Sequence, residues 1–295
     1  MQSVTQDTKL FQRCRFLKIG FSRWGIQRKV ALPPPPDTDA KRFRHSKTLI
    51  VSEEYDEIVK FQNETNALVK RYSMPSFVFP GVVAVANAGV ESLNQMLVER
   101  QEKLPELVQS LTDNLPRLIE EAKTALNGSF SEKDYPPLAD VGRRFAIRWQ
   151  WIQFDVPEGL PPELREAEAK KLKERFEEAQ EEIVGALRQN FAEIVSAMVD
   201  RLKTAPGEKP KIFRDSLVEN FKEFFETFNQ RNLMDDKELS AVVEQAKGLL
   251  NGVEPSTLRE SAKMRERVAE DMAKVKASLD TMIAERPGRK FELED

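Results

Sequence analysis

Residues 162–203 read PELREAEAKKLKERFEEAQEEIVGALRQNFAEIVSAMVDRLK. Leu172, Phe176, Ala179, Ile183, Leu187, Phe191, Ile194, Met198 and Leu202 recur at spacings of three and four, the period of one helix face, while Lys, Arg and Glu fill the other faces. At about 1.5 Å per residue this run predicts a rod roughly 60 Å long. The next stretch, APGEKPK at 205–211, reads as a reversal. Beyond it Phe213, Leu217, Phe221, Phe224 and Phe228 form an aromatic stripe on a returning helix. Two stripes joined by a short reversal pack most simply against each other, so residues 162–233 are expected to form a long antiparallel helical hairpin of coiled-coil type. The aromatic stripe could line a ligand pocket, but core packing explains it without one.

The C-terminal remainder continues in helices. NLMDDKEL at 232–239 invites a metal reading through Asp235 and Asp236, yet Asp235 with Glu238 three residues on is equally a helix start, and no further oxygen ligands follow at loop spacing. A helix is expected over 236–250, ending at Asn251-Gly252. A last helix begins at Ser256 with the stripe Leu258, Ala262, Arg265, Val268, Met272, Val275, Leu279 and Met282, and RPGRKFELED reads as a frayed tail.

The N-terminal half mixes strands with helices. CRFLKIGFSRWGIQRKV at 14–30 places Leu17, Ile19 and Phe21 on one face with a strand period. LPPPPDTDAKR at 32–42 is a stiff spacer, because consecutive prolines donate no backbone hydrogen bonds. KTLIV at 47–51 predicts a second strand, Ser52 an N-cap, and 53–72 a helix with Glu53 and Glu54 in its first turn. In RYSMPSFVFPGVVAVANAGV, residues 71–90, Ser76–Phe79 is expected to be a strand. Pro80 is then expected at the first position of a helix over 81–126, which Pro105 and Pro116 kink or divide. AIRWQWIQFDVP at 146–157 predicts a strand carrying Ile147, Trp149 and Trp151 on one face. The fold class expected is thus α+β, predominantly α-helical, with a small sheet of short strands and the long hairpin. A basic N-terminal strand region and α+β core over 1–157 would precede a helical domain over 158–295.

Composition narrows the chemistry. With 32% charged residues and a longest nearly uncharged run interrupted by Pro75, Pro80 and Asn87, no membrane span is expected. The first residues lack the apolar core of a signal peptide, and a cytoplasmic address is expected. A single cysteine, Cys14, and a single histidine, His45, exclude an internal disulfide and the usual zinc sites. Neither G-x-x-x-x-G-K-[ST] nor G-x-G-x-x-G occurs, and paired acids such as Glu181-Glu182 fit the solvated face of a charged helix better than a catalytic dyad. No catalytic, cofactor-binding or metal-binding residue is therefore assigned, no cofactor is expected, and enzymatic activity is not. Residues 1–47 carry eleven Lys or Arg against three acids, while the rest of the chain has a balance of −11. Such a split fits contact with nucleic acid or an acidic partner through Arg23, Trp24, Arg28, Lys29, Lys41, Arg42, Arg44 and Lys47, or docking of this segment onto the protein's own acidic surface.

The succession SFVFP before a long helix, GRRFAIRWQWIQFDVP after it, then NLMDDKELSAVVEQAKGLLNG and LRESAKMRERVAEDMAKVKASLDTMI resembles a helical family of unknown function from bacteria and phages. The resemblance spans most of residues 14–290. It implies an accessory role, since genes of that family commonly lie near those of MoxR-type AAA+ ATPases and von Willebrand factor A proteins, and it carries over no catalytic residue. The four-proline spacer and basic N-terminus depart from the pattern. Together these readings lead to the expectation of a non-enzymatic helical scaffold or adaptor that binds other proteins, with nucleic-acid binding through the first 47 residues as the alternative.

Overall fold

The computed structural model describes residues 9–30, 36, 37, 39, 42, 44–203, 211 and 213–284. The core of the proline spacer, Lys41, the hairpin tip at 205–210 and the C-terminal tail lie outside the described residues. In chain order the elements are α1 (Lys9–Arg13), β1 (Cys14–Ser22), β2 (Gln27–Val30), β3 (His45–Thr48), α2 (Glu53–Arg71), β4 (Met74–Pro75) and β5 (Val82–Ala86). They continue with α3 (Val90–Leu126), α4 (Leu138–Val141), β6 (Ala146–Ile152), α5 (Pro162–Leu202), α6 (Ser216–Arg231), α7 (Lys237–Leu250), α8 (Pro255–Glu260) and α9 (Ala262–Ala284). Long helices and a small antiparallel sheet of short strands make this a predominantly helical α+β protein.

The chain divides into two compact units, and both are discontinuous in sequence. One comprises residues 1–18, 70–90 and 151–295, the other 19–69 and 91–150. This partition differs from the sequential one expected near residue 157, because the strand at 14–18 and the segment 70–90 belong with the C-terminal helices.

In the larger unit the long helix behaves as its periodicity requires. Phe176, Ala179, Ile183, Leu187, Phe191, Met198 and Leu202 of α5 are all buried. The returning helix α6 runs antiparallel to it: Phe191 stacks on Phe224 at 4.6 Å, Arg231 reaches Asn190, and Lys211 reaches the carbonyl of Asp200. α5 also packs along α9, whose stripe Val268, Met272, Val275, Leu279 and Met282 is buried. The hairpin expected from sequence is thus two sides of a larger helical core. The last helix is not continuous from Ser256. It breaks at Ser261, whose hydroxyl accepts the Met264 N–H, so α8 and α9 are separate rods.

Residues 76–90 overturn the expected strand-then-helix. Val82 donates its N–H to the carbonyl of Phe79, and Gly81 has φ +72°, so Phe79-Pro80-Gly81-Val82 is a type II turn. Pro80 presets the first central residue of this turn rather than a helix start, and Gly81 supplies the positive φ of the second. The turn returns the chain as β5, where the β-branched Val82, Val83 and Val85 suit a pleated surface better than a helix. β5 pairs antiparallel with β1, Cys14 opposite Ala86 through Lys18 opposite Val82, and with β4 on its other side. The order is β4-β5-β1-β6, while β2 and β3 form a separate two-stranded ribbon.

The smaller unit is built on α2 and α3 around Trp24, Leu49, Ile58, Leu111, Leu115, Val141 and Ile147. Ser52 caps α2 as expected, accepting the Tyr55 N–H at 3.2 Å. α3 is unbroken across both prolines. Pro105 and Pro116 are themselves exposed, and neither has an N–H for the carbonyl four residues before it. Trp149 of β6 faces α3 and donates its indole N–H to Asn94 at 3.0 Å, in keeping with a covered sheet face.

Candidate functional site

Among the described residues, several of the basic N-terminal side chains lie on or beside the β2–β3 ribbon. Arg28 and Lys47 are cross-strand partners on the β2–β3 ribbon, and both turn toward the loop at 129–134. Lys47 pairs with the Asp134 carboxylate at 2.7 Å and also donates to the Ser129 carbonyl, while Arg28 reaches the Asp134 carbonyl at 3.5 Å. Arg42 is exposed and pairs locally with Asp39 at 3.5 Å. Arg23, Lys29 and Arg44 are exposed. Trp24 is 1% exposed within the core of its unit, and the Tyr55 hydroxyl donates to its carbonyl at 2.7 Å. It therefore offers no face on which a base could stack, which corrects that part of the expected contact set. Lys47 thus meets an acid of the protein's own 129–134 loop, while Arg28 meets backbone carbonyls.

A buried polar cluster, which the residue pattern does not signal, lies in the larger unit. Arg188 of α5, its side chain 5% exposed, donates from Nε to Asp236 at 2.6 Å, and from Nη2 to Asp236 at 3.0 Å and Glu238 at 2.8 Å. Its Nη1 donates to the carbonyl of Met282 in the last turn of α9, at 3.1 Å. Asp236 is at the same time the N-cap of α7, accepting the Leu239 N–H at 3.1 Å. The cap is one residue later than expected, because Asp235 turns the chain with φ +57°. The hydrogen bonds and charge of Asp236 and Glu238 hold the Arg188 guanidinium above its ordinary pKa, against the opposing effect of burial.

Arg265 of α9 makes the complementary contact, donating to the carbonyls of Arg201, in the last turn of α5, and of Lys211, both at 3.2 Å. Each of the two long helices thus places an arginine on the C-terminal carbonyls of the other, where the helix dipole favours positive charge. Sequence carried one clue: Arg265 sits in the apolar stripe of its helix, where an ordinary surface residue does not belong.

Two depressions accompany these features. One, of about 390 Å³, lies over the Arg188 cluster among Lys9, Glu181, Met234 and Lys237. The other, of about 510 Å³, is a groove in the smaller unit between α3 and the segment 138–148. Among the described residues, no group of three or more His, Cys, Asp and Glu is placed to hold a metal ion, and no helix is long and apolar enough to cross a membrane. Cys14 is fully buried, and its thiol donates to the Leu10 carbonyl at 3.1 Å. Burial pushes its pKa up to about 12, with Arg15 opposing weakly. A thiol reagent at pH 8 is therefore expected to leave Cys14 unmodified in the native chain and to titrate it stoichiometrically in denaturant; rapid native labelling would contradict this environment.

No family model matches the chain, and no curated protein or solved structure matches it either.

Proposed function

We propose that the protein is a non-enzymatic helical scaffold or adaptor that binds other proteins in the cytoplasm, an accessory to a MoxR-type AAA+ ATPase or a von Willebrand factor A protein. The observation that carries this reading is the first third of α5. Residues 162–175 contribute no buried side chain, although the helix continues unbroken into the core from Phe176. The segment is held helical by ion pairs along its own surface, Lys171 with Glu168, Lys170 with Glu174 and Lys173 with Glu177. Leu164 is 46% exposed there. A charged helix start with Leu172 packed against the core and Leu164 uncovered suits docking of a second protein. The strongly perturbed groups support the same reading, since Arg188 is engaged in tying helices together and Cys14 is sealed from solvent.

A photo-cross-linking residue at Leu164 of the full chain, expressed in the native host, is expected to capture a protein partner, with an ATPase or von Willebrand factor A protein among the adducts. Replacing Arg23, Lys29, Arg42 and Arg44 by Gln should leave that capture unchanged. Adducts containing only nucleic acid, lost when those four charges are removed, would instead establish the alternative reading.

A further inference from the structure

The groove between α3 and residues 138–148 is a feature that the scaffold reading does not use. Its apolar lining includes Leu104, Val108, Phe145 and Ile147, and Leu138 stands at its side 46% exposed. Its volume falls within the range of sites that hold a ligand. Gln101, Pro105, Val108, Thr112 and Pro116 follow spacings of four, three, four and four, which puts them along one face of α3, and the first four line the groove. Pro105 has no N–H to give the carbonyl of Gln101, and Pro116 none for that of Thr112. The prolines therefore leave the carbonyls of Gln101 and Thr112 without their usual helical donors on the face bordering the groove.

Charge on the other bank is predominantly basic, with Arg143, Arg144 and Arg148 against Asp140. Arg148 is the charged residue lining the groove, and exposed Arg143 and Arg144 lie just before it. Arg143 pairs weakly with Asp140 at 3.8 Å, while Arg144 and Arg148 make no ion pair among the described residues. On the α3 bank the lining Gln109 donates to the Asp113 carboxylate at 2.7 Å.

We propose that this groove binds an extended peptide segment of a partner protein, acidic along one edge and apolar along the other. Such a segment supplies N–H donors for the carbonyls of Gln101 and Thr112, an apolar side chain for the floor beside Leu138, and carboxylates for Arg144 and Arg148. Its length follows from the helix: Gln101 and Thr112 are eleven residues apart, about 16 Å along α3, which about five extended residues span. The alternation of side chains in an extended peptide separates the acidic edge from the apolar one. The proposal rests on the scaffold reading for the existence of a partner, but the surface differs from the exposed start of α5.

The test uses the purified full chain and three fluorescein-labelled peptides about six residues long, alternating Leu with Glu, Leu with Lys, or Leu with Ser. Fluorescence anisotropy is expected to give a dissociation constant on the order of 10–100 μM for the Leu-Glu peptide and at least tenfold weaker binding for the other two. Arg148→Glu should weaken the Leu-Glu peptide about tenfold and strengthen the Leu-Lys peptide; Leu138→Asp should weaken both. All these positions are exposed, and unchanged melting curves would show that the variants fold. Equal affinity for the three peptides, or a Leu-Glu affinity unmoved by Arg148→Glu, overturns the proposal, as does absence of binding at millimolar peptide. Those failures leave the scaffold reading intact, because it is read from proteins cross-linked at Leu164. If cross-linking fails while Leu-Glu peptide binding responds to Arg148→Glu, the groove stands and that docking surface falls.

Discussion

Replacing Arg188 by Ala is expected to destabilise the larger unit by about 3–5 kcal/mol, the usual consequence of removing one partner from a buried ion pair. The loss is large because of what remains. The Asp236 side chain is 6% exposed, and without the guanidinium it must stay charged in a poorly solvated place or take up a proton. Its role as N-cap of α7 ties that helix start to the same carboxylate, and the carbonyl of Met282 loses a donor as well. For a unit of this size the change corresponds to a fall in melting temperature of roughly 6–20 °C. Thermal unfolding followed by circular dichroism measures it.

A second substitution separates the pair from its packing. Arg188→Met with Asp236→Asn keeps an N-cap and a side chain of similar reach while removing both charges, and it should recover much of the lost stability. A fall of less than 1 kcal/mol in the single variant would show that Asp236 finds another partner. Because the carboxylates raise the Arg188 pKa, the pair's contribution is present throughout the neutral range and is lost only above the ordinary guanidinium range. No dependence on pH between 6 and 9 is expected from this arginine.

Phe191→Ala should cost a similar amount, about 3–5 kcal/mol, by a different route. Phe191 is fully buried, stacked on Phe224 with an interplanar angle of 17° and edge-on to Phe221 at 6.1 Å. Truncation removes a ring from between two helices that cannot close the gap without moving their other contacts. Phe191→Leu fills much of that volume and should recover over half of the loss, with denaturant midpoints giving the comparison. An alanine variant within 1 kcal/mol of the parent would mean that α5 and α6 are held together elsewhere.

The aromatic stripe of α6 and the apolar stripe of α5 were legible in the sequence because a helix repeats its environment every three to four residues. Burial of Phe176, Phe191, Phe221 and Phe224 follows from that repeat. Ser52 was legible too, since a hydroxyl before two glutamates satisfies a free N–H in any context. Residues 76–86 were misread because Pro80 and Gly81 serve equally as a helix start and as a type II turn. What decides between them is the strand at Cys14–Lys18, waiting to pair with Val82–Ala86. Similarly, Pro105 and Pro116 do not divide α3, which packing along Leu104, Val108, Leu111, Leu115 and Leu118 carries through both.

The candidate sites were the least legible. Trp24 looked like a stacking residue among cations, yet burial took it out of reach, and Lys47 found Asp134 far along the chain. The groove's acceptors follow from prolines that sequence shows plainly, but their alignment with Arg148 needs α3 and residues 138–148 to be brought side by side.

The sequence by itself determined which faces of the long helices are apolar, where several of them start, and that the protein is mostly helical, since these depend on neighbours within a turn or two. Only the tertiary structure decided how the chain divides into units, which strand receives Val82–Ala86, and which of many similar arginines is buried. Arg188 becomes a core residue through partners 48 and 94 residues away, Asp236 and the carbonyl of Met282. A buried charge is stable only where distant groups neutralise and hydrogen-bond it, and local periodicity carries no record of them.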